Sequence, residues 1–344
     1  MDGAVGVCEG AGAQRARGWA VQTARGGGLS KRETRPSRLR EAEDALWVVH
    51  GLARHERRVP LRRLGVEVRV QEVGEGPAVL FVPALLTTGS AFVPLVAHLQ
   101  DFRCLLLDRP GTGTSDPVPH PPTGAELASF SAPLLADVLD GLGLDRAHLV
   151  GGSLGGALAL YAAAALPDRV GRMVALACPV MVPNMVAPWF LRLLATPAGG
   201  HLITALLRTP AGILQIARLL GHGASVSARR FPEAVLETIS AALRYTATAR
   251  HELALLRTMI GRRGMKPEAV IPPSTLASVT TPTALYCGST DPFNPPHVVE
   301  ALVASMPDAT AEMIASSGHL PWLDDPYRAA AFVRTHLLGP GRAD

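Results

Sequence analysis

Residues 147–165 read AHLVGGSLGGALALYAAAA, and this stretch decides the fold. Ala147–Val150 is a short continuous apolar run, the signature of a strand buried on both faces. Gly155–Ala165 has the Ala- and Leu-rich composition of a buried helix. Between them, Gly151-Gly152-Ser153-Leu154-Gly155 is the single G-x-S-x-G of the chain. A strand that turns so abruptly into a helix strains the backbone of the central residue and lifts its side chain above the sheet edge. Gly151 and Gly155 leave room for neighbouring backbone to approach. The Ser153 hydroxyl then lies near a helix N-terminus, whose free N–H groups and positive dipole end favour an oxyanion. The plain alternative is a Gly-rich turn carrying an incidental Ser. Leu149–Leu166 approaches membrane-spanning length, but its glycines around Ser153 fit a buried strand and helix better, so no integral membrane segment is expected.

Outward from this turn the pattern repeats. Val66, Val68 and Val70 alternate with polar residues as in a half-buried strand, and buried runs follow at Ala78–Val82, Cys104–Leu107 and Val174–Cys178. Helical stretches at Ser90–Leu99 and Ala125–Leu142 lie between them. Further runs at Thr283–Cys287 and Ala309–Ile314 precede a closing helix, Pro326–Leu338. Such alternation predicts an α/β fold with a mostly parallel sheet, helix-flanked on both faces. Residues 180–275 break the pattern with helical, Pro- and Gly-punctuated sequence and read as an inserted cap. The body is then residues 39–179 and 276–344, with an amphipathic helix from Leu39. Residues 1–38, rich in Gly and Arg, read as a disordered basic tail, the alternative being a basic anchor or targeting segment.

Composition narrows the function. The 344 residues carry a formal charge of +4. Residues 1–60 hold 11 basic and 7 acidic side chains, which leaves 22 of each for the rest. A body so balanced lacks the dense basic surface of a nucleic-acid groove. Cys8, Cys104, Cys178 and Cys287 show neither C-x-x-C nor metal-ligand spacing, which predicts no metal site and a reduced, cytoplasmic protein. The first 30 residues lack the apolar stretch of a secretory signal.

A serine hydroxyl needs a base to become a nucleophile. Among eleven His, His319 stands on a loop at the end of the Ala309–Ile314 run, at the edge where open α/β sheets place their ligands. His148, inside a strand, reads as a packed core residue. Asp291 follows Thr283–Cys287 at the same edge and is suited to hold the imidazole in its productive tautomer. Asp324 and Asp325 read as starting the last helix or binding its free amides.

These motifs, in the order Ser153, Asp291, His319, resemble the α/β-hydrolase fold family over about residues 60–340. Asp108-Arg109-Pro110-Gly111-Thr112-Gly113 is similar to that family's loop after the fourth strand. Gly318-His319-Leu320-Pro321-Trp322 is similar to its His loop. The resemblance implies a catalytic triad, a helical cap inserted after strand six, and oxyanion donors at the backbone amides of Leu85 and Leu154. One departure stands out: Pro83-Ala84 occupies the place of the family's His-Gly, so Pro83 supplies none of the usual His contacts and Ala84 restricts the loop.

The cap is apolar and carries no acidic residue between Asp168 and Glu233. Met181, Met185, Trp189, Phe190 and Leu194, with Leu86 and Leu320 from the body, are the candidate substrate-binding residues. A plainer role for each is packing. The expected activity is cofactor-free hydrolysis of an apolar ester, thioester or lactone through an acyl-enzyme. The alternatives are a carbon–carbon bond hydrolase of ring-cleavage products, an acyltransferase or cyclase, and a non-catalytic ligand receptor on the same scaffold.

Overall fold

Buried apolar runs become the middle of a sheet in the computed structural model, which describes residues 35–177 and 179–339. Helix α1 (Pro36–Val49) precedes strands β1 (His55–Leu61), β2 (Val66–Val73) and β3 (Ala78–Val82). Then come α2 (Val93–Val96), β4 (Arg103–Leu107), α3 (Leu127–Leu142), β5 (Ala147–Gly152), α4 (Leu154–Ala165) and β6 (Val170–Leu176). The insertion follows β6 and comprises α5 (Trp189–Leu194), α6 (Pro197–Leu206), α7 (Pro210–Ala217), α8 (Gly223–Ser227), α9 (Glu233–Tyr245) and α10 (Thr248–Met259). A two-strand ribbon, β7 (Ile260–Gly261) and β8 (Gly264–Met265), and α11 (Pro273–Ala277) lead back to β9 (Thr283–Gly288). The chain closes with α12 (Pro296–Ala304), β10 (Ala309–Ile314), α13 (Pro321–Asp324) and α14 (Pro326–Leu338).

The main sheet has the order β1-β2-β4-β3-β5-β6-β9-β10. From β4 to β10 every pairing is parallel, while β1 and β2 form an antiparallel edge. This is the helix-flanked α/β sheet expected. Residues such as Leu80, Phe81, Leu105, Leu149 and Val174 are fully buried because helices cover both faces. The C-terminal ends of β5, β9 and β10 meet at one edge, where the candidate chemistry collects.

Two features of the element layout differ from the sequence expectations. Strand β1 carries no apolar pattern that predicts a strand: HERRVPL is polar and largely exposed at the sheet's outer edge. Helix α1 begins at Pro36 rather than Leu39, with the proline pre-set for a first turn, so the tail boundary at 38 is too late. Residues 1–34 of that tail, with Cys8, and Cys178 lie outside the described residues, while Cys104 and Cys287 are buried thiols. Among the described residues no single helix is long and apolar enough to cross a membrane; one bent pair, Pro197–Leu206 with Pro210–Ser227, passes by length and composition.

Helix α1 is pinned to the sheet by charge. Buried Arg69 of β2 donates to Glu43 of α1 and to Asp108 beyond β4, both at 2.6 Å. Burial opposes the guanidinium charge, but Asp108 and Glu43 outweigh it and hold the Arg69 pKa above its ordinary value.

His148 is half-buried rather than fully packed, and its Nδ1 accepts the Arg172 N–H at 3.1 Å beside a register shift between β5 and β6. Burial, reinforced by Arg146 and Arg172, lowers its pKa below the ordinary 6.5. A lowered imidazole pKa stabilises the fold fully above 6.5, and that contribution is lost as pH falls through the folded value. The melting temperature is therefore expected to fall between pH 7.5 and 6.0. His148→Asn, whose Oδ1 still accepts from Arg172, should show a smaller fall; equal falls in both proteins would contradict this.

Candidate active site

Ser153 sits at the turn between β5 and α4 with φ of +51°. The strain is imposed by packing: a Cβ at Gly155 would lie 1.9 Å from the Val82 carbonyl oxygen of β3, so only glycine lets α4 start there. Ser153, Asp291 and His319 are all buried. His319 Nε2 lies 2.8 Å from Ser153 Oγ, and Nδ1 lies 2.8 Å from Asp291 Oδ2. Asp291 Oδ1 accepts the Phe293 N–H at 2.8 Å, which fixes the carboxylate plane. The Phe293 ring packs on the imidazole with centroids 4.4 Å apart. Side chains from three loops thus form one continuous path for a proton, with Nδ1–H donated to Asp291 and Nε2 free to receive the serine proton.

The loop after β3 is held by an arrangement the sequence did not reveal. Arg109 donates to the carbonyls of Pro83 (3.2 Å) and Ala84 (3.0 Å). Its guanidinium also pairs with Glu252 of cap helix α10 at 2.6 Å and 3.0 Å, both side chains buried. Glu252 in turn accepts the Leu86 N–H at 2.7 Å, which stabilises the left-handed backbone of Leu86, φ +62°. Leu85 and Leu154 both face the cavity beside Ser153. Among the described residues neither backbone N–H is engaged in a hydrogen bond. Thr87 donates to the Ala84 carbonyl, the loop role open to it.

Above the serine is a cavity of about 150 Å³ walled by the inserted helices and by loops of the body. Of the candidate binding residues, Leu86, Met181, Met185, Phe190, Leu194 and Leu320 line it. Trp189 does not. It is 61% exposed on the outer side of α5, because neighbouring residues on a helix point apart and Phe190 takes the inward position. Ile203, Leu207, Ile213, Ile216 and Phe231 add to the wall, and no Asp, Glu, Lys or Arg side chain is part of it. The cap arginines face elsewhere: Arg208, Arg218, Arg229 and Arg230 are exposed. Asp325 caps α14 by accepting the Arg328 N–H, as expected, whereas Asp324 turns inward to His222. His222, Arg109 and Glu252 are site residues that sequence patterns missed. The one available signal was the Gly221-His222-Gly223 interruption of a helical run. Among the described residues no cluster suited to a metal ion is found.

A family model described as the alpha/beta hydrolase fold matches residues 77–201. A Cupriavidus pinatubonensis protein named 2-hydroxy-6-oxononadienedioate/2-hydroxy-6-oxononatrienedioate hydrolase is 30% identical over 228 residues, covering 66% of this chain and 72% of its own. A protein of the same name from Burkholderia vietnamiensis is 28% identical over 63% of this chain and 70% of its own. Among solved structures, 2-hydroxy-6-oxo-6-phenylhexa-2,4-dienoate hydrolase from Rhodococcus superposes with a TM-score of 0.69 at 20% identity, covering 84% of this chain and all of that one (100%). Carboxylesterase CesB from Bacillus subtilis gives 0.65 at 20% identity, over 89% of this chain and 99% of that one. At such identities the superpositions speak to the fold alone.

Proposed function

The chain belongs to the α/β-hydrolase fold family and is a hydrolase, and on that premise we propose that Ser153, His319 and Asp291 cleave an acyl bond in an apolar substrate. The observation that carries this reading is the pair of 2.8 Å contacts through His319, set beneath a cavity with no charged wall. Ser153 Oγ attacks the carbonyl carbon while its proton passes to His319 Nε2. Asp291 stabilises the imidazolium, and the Leu85 and Leu154 amides receive the oxyanion. The leaving group takes the proton from Nε2. Water, deprotonated by the same nitrogen, then releases the acid and restores the serine.

The wall chemistry supports a hydrocarbon acyl group. A dry cavity of this size suits a group about as large as benzene. Each methylene buried adds ~0.8 kcal/mol, or about fourfold in kcat/KM. On p-nitrophenyl esters kcat/KM is therefore expected to climb by on the order of a hundredfold from acetyl to hexanoyl and then level off. Acetyl esters preferred over butyryl and longer would contradict an apolar site.

A second reading, carbon–carbon bond hydrolysis, is favoured by the names of the relatives, which fit it better than they fit ester cleavage. There the bond broken lies beside the attacked carbonyl, and the proton from His319 goes to a carbanion stabilised by conjugation. Those names specify a dioate, which an uncharged wall receives poorly. A vinylogous diketone acid with an aromatic tail carries one carboxylate instead of two, and its apolar end suits the wall. Turnover of that compound with inert esters supports the second reading, and the converse supports the first.

A further inference from the structure

The cap is joined to both catalytic loops by one short segment. Residues Arg218–His222 form a wide helical turn between α7 and α8. The Leu220 carbonyl accepts the backbone N–H of His319 itself at 2.8 Å. The Thr290 hydroxyl, next to Asp291, shares its single hydrogen between the Gly221 carbonyl at 2.9 Å and the Ser317 carbonyl at 2.7 Å. His222 is fully buried, and its Nε2 accepts the Leu320 N–H at 3.1 Å. That nitrogen therefore carries no proton, so Nδ1 holds the ring's hydrogen and donates it to Asp324 at 2.9 Å. Asp324 also accepts from Ser317 Oγ (2.5 Å) and the Gly318 N–H (2.9 Å). Burial raises the Asp324 pKa, but the bonds from His222, Ser317 and Ser225 outweigh it and hold the carboxyl below its ordinary range. A second His–Asp pair thus binds every residue from Ser317 to Leu320 around the base, directly or through the Leu220 carbonyl.

The fit is tight. Gly221 adopts φ of +89°, and a Cβ there would lie 2.2 Å from the Thr290 carbonyl oxygen. From the other side, a Cβ on Gly318 would lie 2.7 Å from His222 Nδ1. Backbone from the cap fills the gap between the acid loop and the base loop, so neither loop shifts without the other.

We propose that Leu220–His222 is a clasp by which the cap sets the position of His319 relative to Ser153 and Asp291, with His222 acting as a positioning residue through Asp324 and Leu320. The clasp touches no reacting atom. It rests on the catalytic reading of the three residues above and extends it: the cap edge at this segment is part of the assembled site and stays seated during turnover. Substrate then enters elsewhere along the cap. Leu220 and His222 also wall the cavity, so an acyl chain packs against the same residues that hold the base.

The test is the second-order rate at which diisopropyl fluorophosphate, a small reagent that makes few demands on the cap, labels Ser153 in the full chain. His222→Ala and Gly221→Ala are expected to slow labelling at least tenfold, because a misplacement of about 1 Å costs up to a hundredfold. In steady state kcat should fall by the same factor in Gly221→Ala with KM within threefold. His222→Gln, which offers a donor and an acceptor on one planar head, should recover part of the rate, a rescue that general loosening of the fold does not give. Thr290→Val, at an exposed position, removes the hydroxyl that ties the Gly221 carbonyl to the Ser317 carbonyl and should slow labelling at least threefold. It carries the test if the two alanine variants do not fold. Folded variants labelled within twofold of the parent overturn the clasp. A parent protein that is not labelled at all defeats the catalytic reading instead, which keeps the two failures apart.

Discussion

Ser153→Ala is expected to lower kcat by about 10⁴-fold or more, on an ester or on the diketone acid, with the melting temperature little changed. The substitution removes one oxygen. The Cβ that supports the strained turn stays, as do Gly155 and the packing of α4 on β3, so the fold has no cause to loosen. What is lost is the oxygen placed 2.8 Å from His319 Nε2, beside the Leu85 and Leu154 amides proposed to receive the oxyanion. The activity left is expected to come from water and the proposed oxyanion donors alone. Steady-state kinetics beside a thermal melt checks both halves. A variant that keeps a tenth of the parent kcat would show that the hydroxyl is not the nucleophile.

Glu252→Ala is expected to cost about 3–5 kcal/mol of stability, because it leaves the Arg109 guanidinium buried without its partner. By the usual scaling of a few degrees per kcal/mol, the melting temperature should drop by roughly 6–15 °C. Activity should fall as well, at least tenfold, since the Leu86 N–H loses its acceptor and the left-handed backbone there loses its support. The double variant Arg109→Met with Glu252→Leu separates the two effects. Two apolar side chains of similar volume replace a buried ion pair at little cost, so the melting temperature should return towards that of the parent. Activity should not, because the carbonyls of Pro83 and Ala84 have then lost the donor that shapes the loop. A single variant with parental stability, or a double variant with parental activity, would contradict this account of the loop.

What could be read from the sequence was whatever local physics determines. The Ser153 turn was legible because a strand–helix corner of that kind demands glycines at fixed positions, and the Val82 carbonyl shows why. Asp291 and His319 were legible because each follows a buried run, and parallel strands deliver such loops to one edge. The edge strand β1 was not, since an exposed strand needs no apolar pattern. Trp189 and Phe190 illustrate a second limit. Both suit a pocket by composition, and only the roll of α5 decides which one faces inward. The third limit is distance along the chain. Arg109 meets Glu252 143 residues on, and His222 meets Asp324 102 residues on. Each looks like a surface charge or an ordinary helix break until the cap is seated. Pro83 in place of the family's His was visible as a departure, but the arginine that holds the Pro83 and Ala84 carbonyls belongs to another loop.

The central claim is that Ser153 is an activated nucleophile beneath an apolar cap. Intact-mass and peptide mapping after treatment with an alkyl fluorophosphonate tests it most directly. The expected result is one adduct per chain, on Ser153, with hydrolysis lost in proportion to labelling and both slowed by a competing hydrophobic ester. A protein that stays unlabelled while turning over substrate, or that carries its adduct on another residue, would contradict it.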